Sequence, residues 1–308
     1  MKRIFTLIAA AVFAALPLSA RTVSEPESTA KQETRDYRLS GFTGLNVSWV
    51  YQVELTQSAR YAVRVEAPED LMPYLRVEVQ NGNLILALEE SLPREIRRRI
   101  ENGNRANVRA FVSMPDLTTL RLSGASKLTA KGEFSSRKGF DLMLSGAVNV
   151  QDLSVKAPAA VIELSGASKT TLTGKYDKMV LRLSGSASAN LATDVKNSEI
   201  TTSGAAKLTV KGKLGEVVLK GSGAANTQFE GSIDSLDADG SGAAKLTATQ
   251  APAARARINF SGAANGLIDV RDELSVNLSG ASKLNYHPGP SLRITDQTVS
   301  RAASLSSF

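Results

Sequence analysis

The 308-residue chain contains no cysteine and one histidine, His287, and aromatic residues make up only 5% of it. Without thiols there is no disulfide, no thiolate metal site and no lipid-modified cysteine behind an export signal. A serine triad would need His287, and no Gly-x-Ser-x-Gly elbow occurs to present a nucleophile. Scarce aromatics remove the stacking platforms that hold single-stranded nucleic acid. The formal charge of +7 falls to +5 once Lys2 and Arg3 are set aside. An excess that small suits contact with an acidic glycan or phosphate and is no nucleic-acid footprint.

Long apolar runs are almost as rare. Ile4 to Leu18 follows the positive start Met1-Lys2-Arg3 and ends in Leu18-Ser19-Ala20. That layout is a secretory signal peptide over residues 1–20, and it falls short of the ~20 apolar residues of a spanning helix. No transmembrane helix is expected in the mature chain. Residues 21–36 hold little to bury and are expected to form a flexible leader.

What the chain does have is a repeat. A Ser-Gly-small triplet recurs about the central residues Gly124, Gly146, Gly166, Gly185, Gly204, Gly223, Gly242, Gly262 and Gly280, at intervals of 22, 20, 19, 19, 19, 19, 20 and 18 residues. Before each serine the pattern is apolar, polar, apolar, as in Leu120-Arg121-Leu122 and Leu181-Arg182-Leu183. A period of two marks a half-buried strand. Glycine tolerates the positive φ of a sharp corner, and small neighbours such as Ala125, Ala167 and Ala205 would let corners stack. A second β-prone stretch follows, as in Lys207-Leu208-Thr209-Val210. Strand, corner, strand and return fit about 19 residues, one coil of a parallel β-helix or β-solenoid whose coils share a core. Gly221 and Gly240 replace the inward leucine, so those rungs should pack less well, giving a local weak spot or a twist in the stack. Solenoid repeats are expected over 116–305, with Ser300-Arg301-Ala302 as a degenerate rung and the tail to Phe308 covering the last apolar edge.

Residues 37–115 read as a less regular β-rich region. Val50 to Leu55 and Tyr61 to Val65 look like paired strands, and Leu75 to Val79 and Leu84 to Leu88 flank the hairpin turn Asn81-Gly82-Asn83. Pro93 to Ile100, with four arginines, suits a short helix or exposed loop ending near Gly103. Its charges fit a solvated excursion or contact with an anionic partner.

Three stretches resemble the putative autotransporter adhesin head, or GIN, domain family: Phe42-Thr43-Gly44-Leu45-Asn46-Val47, Asn81-Gly82-Asn83-Leu84, and Pro115-Asp116-Leu117 followed by Leu120-Arg121-Leu122-Ser123-Gly124-Ala125-Ser126. The resemblance covers roughly Tyr37 to Leu284. It implies an all-β, right-handed parallel β-helix in an exported envelope protein, and it carries over no catalytic residue. The long C-terminal barrel of an autotransporter is missing from this chain, so self-secretion is not expected.

Two constellations bear on chemistry. Asp234, Asp237 and Asp239 are similar to the acidic face of a calcium-assisted lyase, but Asp237 and Asp239 occupy outward strand positions where polar residues belong. No metal, cofactor or catalytic residue is expected. Three places after each glycine the residues run Lys127, Asn149, Lys169, Ser188, Lys207, Asn226, Lys245, Asn265 and Lys283. If one repeat is one coil, the lysines stand about 10 Å apart in a column. If two repeats make a coil, they gather on one side with Asn and Ser opposite. The column would bind an anionic polymer or would only keep the solenoid soluble. Three functions are consistent with these features: an adhesin-like module contacting glycan or another anionic surface polymer, a passive envelope scaffold contacting another envelope protein, and a polysaccharide-active enzyme.

Overall fold

The computed structural model describes residues 31–101, 107–300 and 302–308. The expected signal peptide at 1–20, the expected leader up to residue 30 and Gly103 lie outside them. Residues 31–308 form one compact unit, so the irregular region and the repeats share a single structure.

The regular part is a β-solenoid in which one repeat makes one coil. Its full rungs are bent strands at Lys169–Leu183, Ser188–Thr202, Lys207–Gly221, Asn226–Gly240, Lys245–Phe260 and Asn265–Leu278. Each pairs in parallel with the next, Lys207 facing Ser188 on one side and Asn226 on the other. Alternate side chains turn inward. Leu208, Val210, Leu214, Val217 and Leu219 of one rung are all buried, and complete burial of such a side chain contributes roughly 1.5–3 kcal/mol. No rung could bury that face alone, which is why the coils stack.

The corners continue the ladder. Ser222 N–H donates to Thr202 O at 2.9 Å, Ala224 N–H to Gly204 O at 2.8 Å and Asn226 N–H to Ala206 O at 2.9 Å. Gly223 sits at φ +70, and a Cβ there would lie 2.8 Å from the Gly204 carbonyl oxygen. The corner thus demands glycine twice, for its φ and for its closeness to the preceding rung. Ala125, Ala167 and Ala205, expected to be small for the sake of corner stacking, are exposed; the next residues, Ser126, Ser168 and Ala206, turn inward and are buried.

The N-terminal region is the same solenoid with its rungs out of chain order. Its strands are β1 (Gln32–Tyr37), β2 (Gly44–Val47), β3 (Gln52–Gln57), β4 (Ala62–Pro68), β5 (Leu75–Gln80), β6 (Asn83–Leu88), β7 (Arg109–Met114), β8 (Thr119–Leu122) and β9 (Lys127–Lys131). β2 lies between β6 and β8, and β3 between β7 and β9, all in parallel. One rung is therefore β2–β3; the chain leaves it, builds the rung below from β6 and β7, and then passes over it to β8–β9. Between β6 and β7, where later rungs have a tight corner, stands an excursion carrying the helix α1 (Arg94–Glu101).

The structure corrects several expectations. The segment around Val50 to Leu55 does not pair with Tyr61 to Val65: β7 is inserted between β3 and β4, parallel to one and antiparallel to the other. Residues 32–36 of the expected leader form β1, which pairs antiparallel with β4. Its alternating Gln32-Glu33-Thr34-Arg35 suits an edge with both faces in water, which composition cannot distinguish from a leader. The hairpin stands as expected, β5 against β6 with Asn81 and Gly82 at φ 50 and 72, the positive pair of a type I′ turn.

At the other end, Ser304–Ser307 adds a parallel strand beside Lys283–Pro288, with Ser304 opposite Lys283. Arg301 of the degenerate triplet lies outside the described residues; on either side of it the ladder continues in register, and Ser300 N–H donates to Leu278 O at 2.9 Å. The tail covers part of the apolar edge, with Leu305 packed on the core opposite the buried Leu284, whereas Ile294 and Phe308 remain 40% and 60% exposed. The expected weak level is half corrected. Phe260, one rung on, places its ring where a Gly240 side chain would be: a Cβ there would meet its Cδ1 at 2.7 Å. At Gly221 the nearest atom to such a Cβ is Ala244 Cβ at 3.5 Å, and a gap of about 10 Å³ remains between Thr202, Leu219, Ala225 and Phe260.

Candidate functional site

The lysine column is a single line on one outer face. In successive register stand Lys127, Asn149, Lys169, Ser188, Lys207, Asn226, Lys245, Asn265 and Lys283. All five lysines are exposed. Since one repeat is one coil, the lysines are separated by two strand spacings, about 9.6 Å, and do not collect on opposite sides. The outward neighbours two residues on are Thr129, Gln151, Thr171, Asn190, Thr209, Gln228, Thr247, Leu267 and Asn285.

From Lys127 to Lys283 the lysine column holds no carboxylate; in the second column a bulge sets Asp152 together with Gln151 opposite Thr171. Asp152 sits there at φ 57, and its N–H donates to Thr171 Oγ1 at 2.9 Å. Below, the strip ends at Glu54, already held by Lys131 at 3.1 Å and Arg109 at 3.3 Å. None of the five lysines makes an ion pair among the described residues, whereas Lys131, Lys156 and Lys196 each do. The later 20-residue repeat and the 18-residue repeat absorb their extra and missing residues beyond Gln228 and Ala248, and the earlier 20-residue repeat bulges after Val150, all outside the lysine column itself. Periodicity is kept where the lysines are and relaxed elsewhere.

A groove runs along the other side of the glycine corners. Its volume is about 690 Å³ over the rungs of Arg121, Met143, Glu163 and Arg182, beside the serines that precede the glycines. It continues past Thr201 for about 400 Å³ along Lys220, Asp239 and Asn259. Charges here are mixed: Arg182 Nη1 lies 2.9 Å from Glu163 Oε1 and Asn259 Nδ2 donates to Asp239 Oδ1 at 3.0 Å, while Arg121 and Lys220 make no ion pair among the described residues. The serines serve the wall, with Ser165, Ser203, Ser261 and Ser279 hydroxyls 3.4–3.5 Å from carbonyl oxygens of the preceding rung.

The remaining candidates stay apart. Asp237 and Asp239 point outward on one strand, in register with Arg257 and Asn259, while Asp234 lies at the return bend. Among the described residues no three metal-ligating side chains converge. His287 is largely exposed, its Nδ1 3.9 Å from Asp269 Oδ2. On α1, Arg97 N–H donates to Pro93 O at 3.0 Å and its Nη2 reaches Glu90 O at 3.5 Å.

One residue escaped sequence reasoning. Trp49 holds φ 79 in the corner of the β2–β3 rung, the place glycine takes above it, and a Cβ on Gly124 would lie 2.5 Å from its carbonyl oxygen. Ser48-Trp49-Val50 is therefore a tenth corner with its glycine replaced. The signal was there, since Leu45-Asn46-Val47-Ser48 repeats the pattern of Leu120-Arg121-Leu122-Ser123, but the motif had lost its central residue.

Solved structures share this architecture. A putative adhesin from Parabacteroides distasonis ATCC 8503 superposes with a TM-score of 0.52 at 16% identity, covering 91% of this chain and 98% of that one. A putative adhesin from Parabacteroides merdae ATCC 43184 reaches 0.50 at 14% identity, with 91% and 97% covered. At that identity the likeness is one of fold. No curated protein matches the sequence. Among the described residues no helix is long and apolar enough to cross a membrane. The sequence itself matches a family over residues 41–214 and 188–290, which takes in both the reordered N-terminal rungs and the glycine-cornered stack: the chain belongs to the putative auto-transporter adhesin, head GIN domain family.

Proposed function

We propose that this protein is an exported, non-catalytic binding module of the bacterial envelope that contacts an anionic surface polymer along its lysine column. The observation that carries this reading is the one-signed column: Lys127, Lys169, Lys207, Lys245 and Lys283 in one line, without ion pairs among the described residues, alternating with Asn and Ser and with no carboxylate between them. A column meant only for solubility has no need to exclude acidic residues, and mixing the signs would serve better. The groove across the corner is a weaker candidate because it mixes both signs of charge, with Glu163 and Asp239 among its lining. Membership of an adhesin-head family supports a binding role over catalysis, and the signal-like residues 1–20 support export.

Replacing the five lysines with glutamine tests the reading. Retention on an immobilised acidic polysaccharide should disappear at low salt, and retention of the unchanged protein should fall as salt rises. Equal retention of the two proteins would dispose of the lysine column as the contact surface.

A further inference from the structure

From the alternation within the column we infer that the preferred polymer is a linear glycan carrying one anionic group per disaccharide, and not one on every sugar. This rests on the reading of the column as an anionic-polymer site and goes further by naming the repeat it selects. The strand ladder places residues of the column about 4.8 Å apart, comparable with the advance per sugar of an extended pyranose chain. Lysine occupies every second rung from Lys127 to Lys283, eight rung steps or roughly 38 Å. Between them stand Asn149, Ser188, Asn226 and Asn265.

A glycan laid along the solenoid axis would therefore meet an ammonium group and a neutral polar side chain in turn. Asn supplies both donor and acceptor and Ser a hydroxyl, suited to the hydroxyl or amide groups of an uncharged sugar. An alternating polymer sets each carboxylate or sulfate opposite a lysine. A homopolymer of acidic sugars sets every second charge opposite Asn or Ser, where its desolvation is not offset by an ion pair. Flexible lysine stems tolerate small mismatches in this register. Two features indicate that the register matters. The alternation persists through repeats of 22, 20, 19 and 18 residues, and the irregular residues fall outside the column.

Generic attraction makes the opposite forecast, because the more densely charged polymer releases more counterions on binding. The test compares hyaluronan, with one carboxylate per disaccharide, against polygalacturonate of matched length, with one per sugar. The proteins are wild type, the five-lysine-to-glutamine variant, and a filled variant carrying Asn149→Lys, Ser188→Lys, Asn226→Lys and Asn265→Lys. Wild type should bind hyaluronan at least as tightly, and filling should turn the preference toward polygalacturonate by about tenfold or more. Circular dichroism and thermal unfolding report whether the filled variant folds. If like-charge repulsion prevents it, Asn226→Lys alone, which joins Lys207 to Lys245, should shift the preference in the same direction. Wild type preferring polygalacturonate, with both polymers lost in the glutamine variant, overturns the spacing inference and leaves the anionic site standing. Binding that survives in the glutamine variant, or no binding of either polymer by wild type, removes the site and the inference with it.

Discussion

The middle of the stack and its N-terminal end solve the same corner with opposite residues. At Gly223 the corner is glycine because a Cβ would run into the Gly204 carbonyl; at Trp49 the corner has the same positive φ and carries the largest side chain available. The difference lies in what is underneath. The corner Cβ direction points back to the preceding rung, so every corner resting on another corner must be glycine. Beneath Trp49 there is no corner, because the rung formed by β6 and β7 is opened there by the excursion with α1. Trp49 instead packs edge-on to Tyr51, ring centroids 6.5 Å apart, and the buried Tyr51 hydroxyl donates to Ala87 O at 3.1 Å. Burial holds that phenol well above its ordinary pKa. A periodic motif is thus imposed by neighbours, and it lapses where the neighbour is missing.

The same contrast governs the interior. Gly221 and Gly240 both vacate an inward leucine position, yet only one vacancy is filled, by Phe260. Phe260→Ala should therefore do the most damage of any single change at these corners and levels, lowering stability by about 3–5 kcal/mol as read from denaturant midpoints. Adding Gly240→Ala to that variant should recover part of the loss, although Gly240→Ala alone destabilises; additive behaviour of the pair would refute the filling role.

Next in size is the corner. Gly223→Ala should cost about 2–4 kcal/mol, from strain at positive φ together with the backbone clash. Trp49→Gly should cost about 1 kcal/mol or less, since relief of strain offsets lost packing. Equal effects at the two sites would contradict the account of what lies beneath each corner.

Gly221→Ala should stabilise by about 0.5–1 kcal/mol, because its φ is not positive and a Cβ there would make ordinary van der Waals contacts, the nearest at 3.5 Å. A loss would mean that the gap beside Thr202 is not available. Smallest of all is the effect of the lysine-to-glutamine changes on folding. Each of these exposed side chains should change the unfolding free energy, read from denaturant midpoints, by no more than about 0.5 kcal/mol, which keeps their effect on polymer retention separable from unfolding.

The glycine triplets, their spacing and the two-residue alternation made the repeats legible, because each rung meets an almost identical environment and its residues answer the same constraint. The lysine column was legible for the same reason, whereas its geometry was not: the choice between one and two repeats per coil required the register Lys169 to Ser188 to Lys207. The first rung hid because its glycine is tryptophan and its partner above lies 75 residues away, at Gly124. Pairing between β3 and β4 was misjudged because proximity in the chain favours hairpins, and here β7 enters between them.

Local sequence therefore determined the coil: strand period, corner, inward leucines and outward lysines all follow from backbone sterics and burial acting within about 19 residues. Tertiary structure alone decided the order of the rungs at the N-terminal end, the filling of Gly240 by Phe260 and the vacancy at Gly221. Each depends on which side chains from distant parts of the chain arrive at the same level, and short-range preference holds no trace of that.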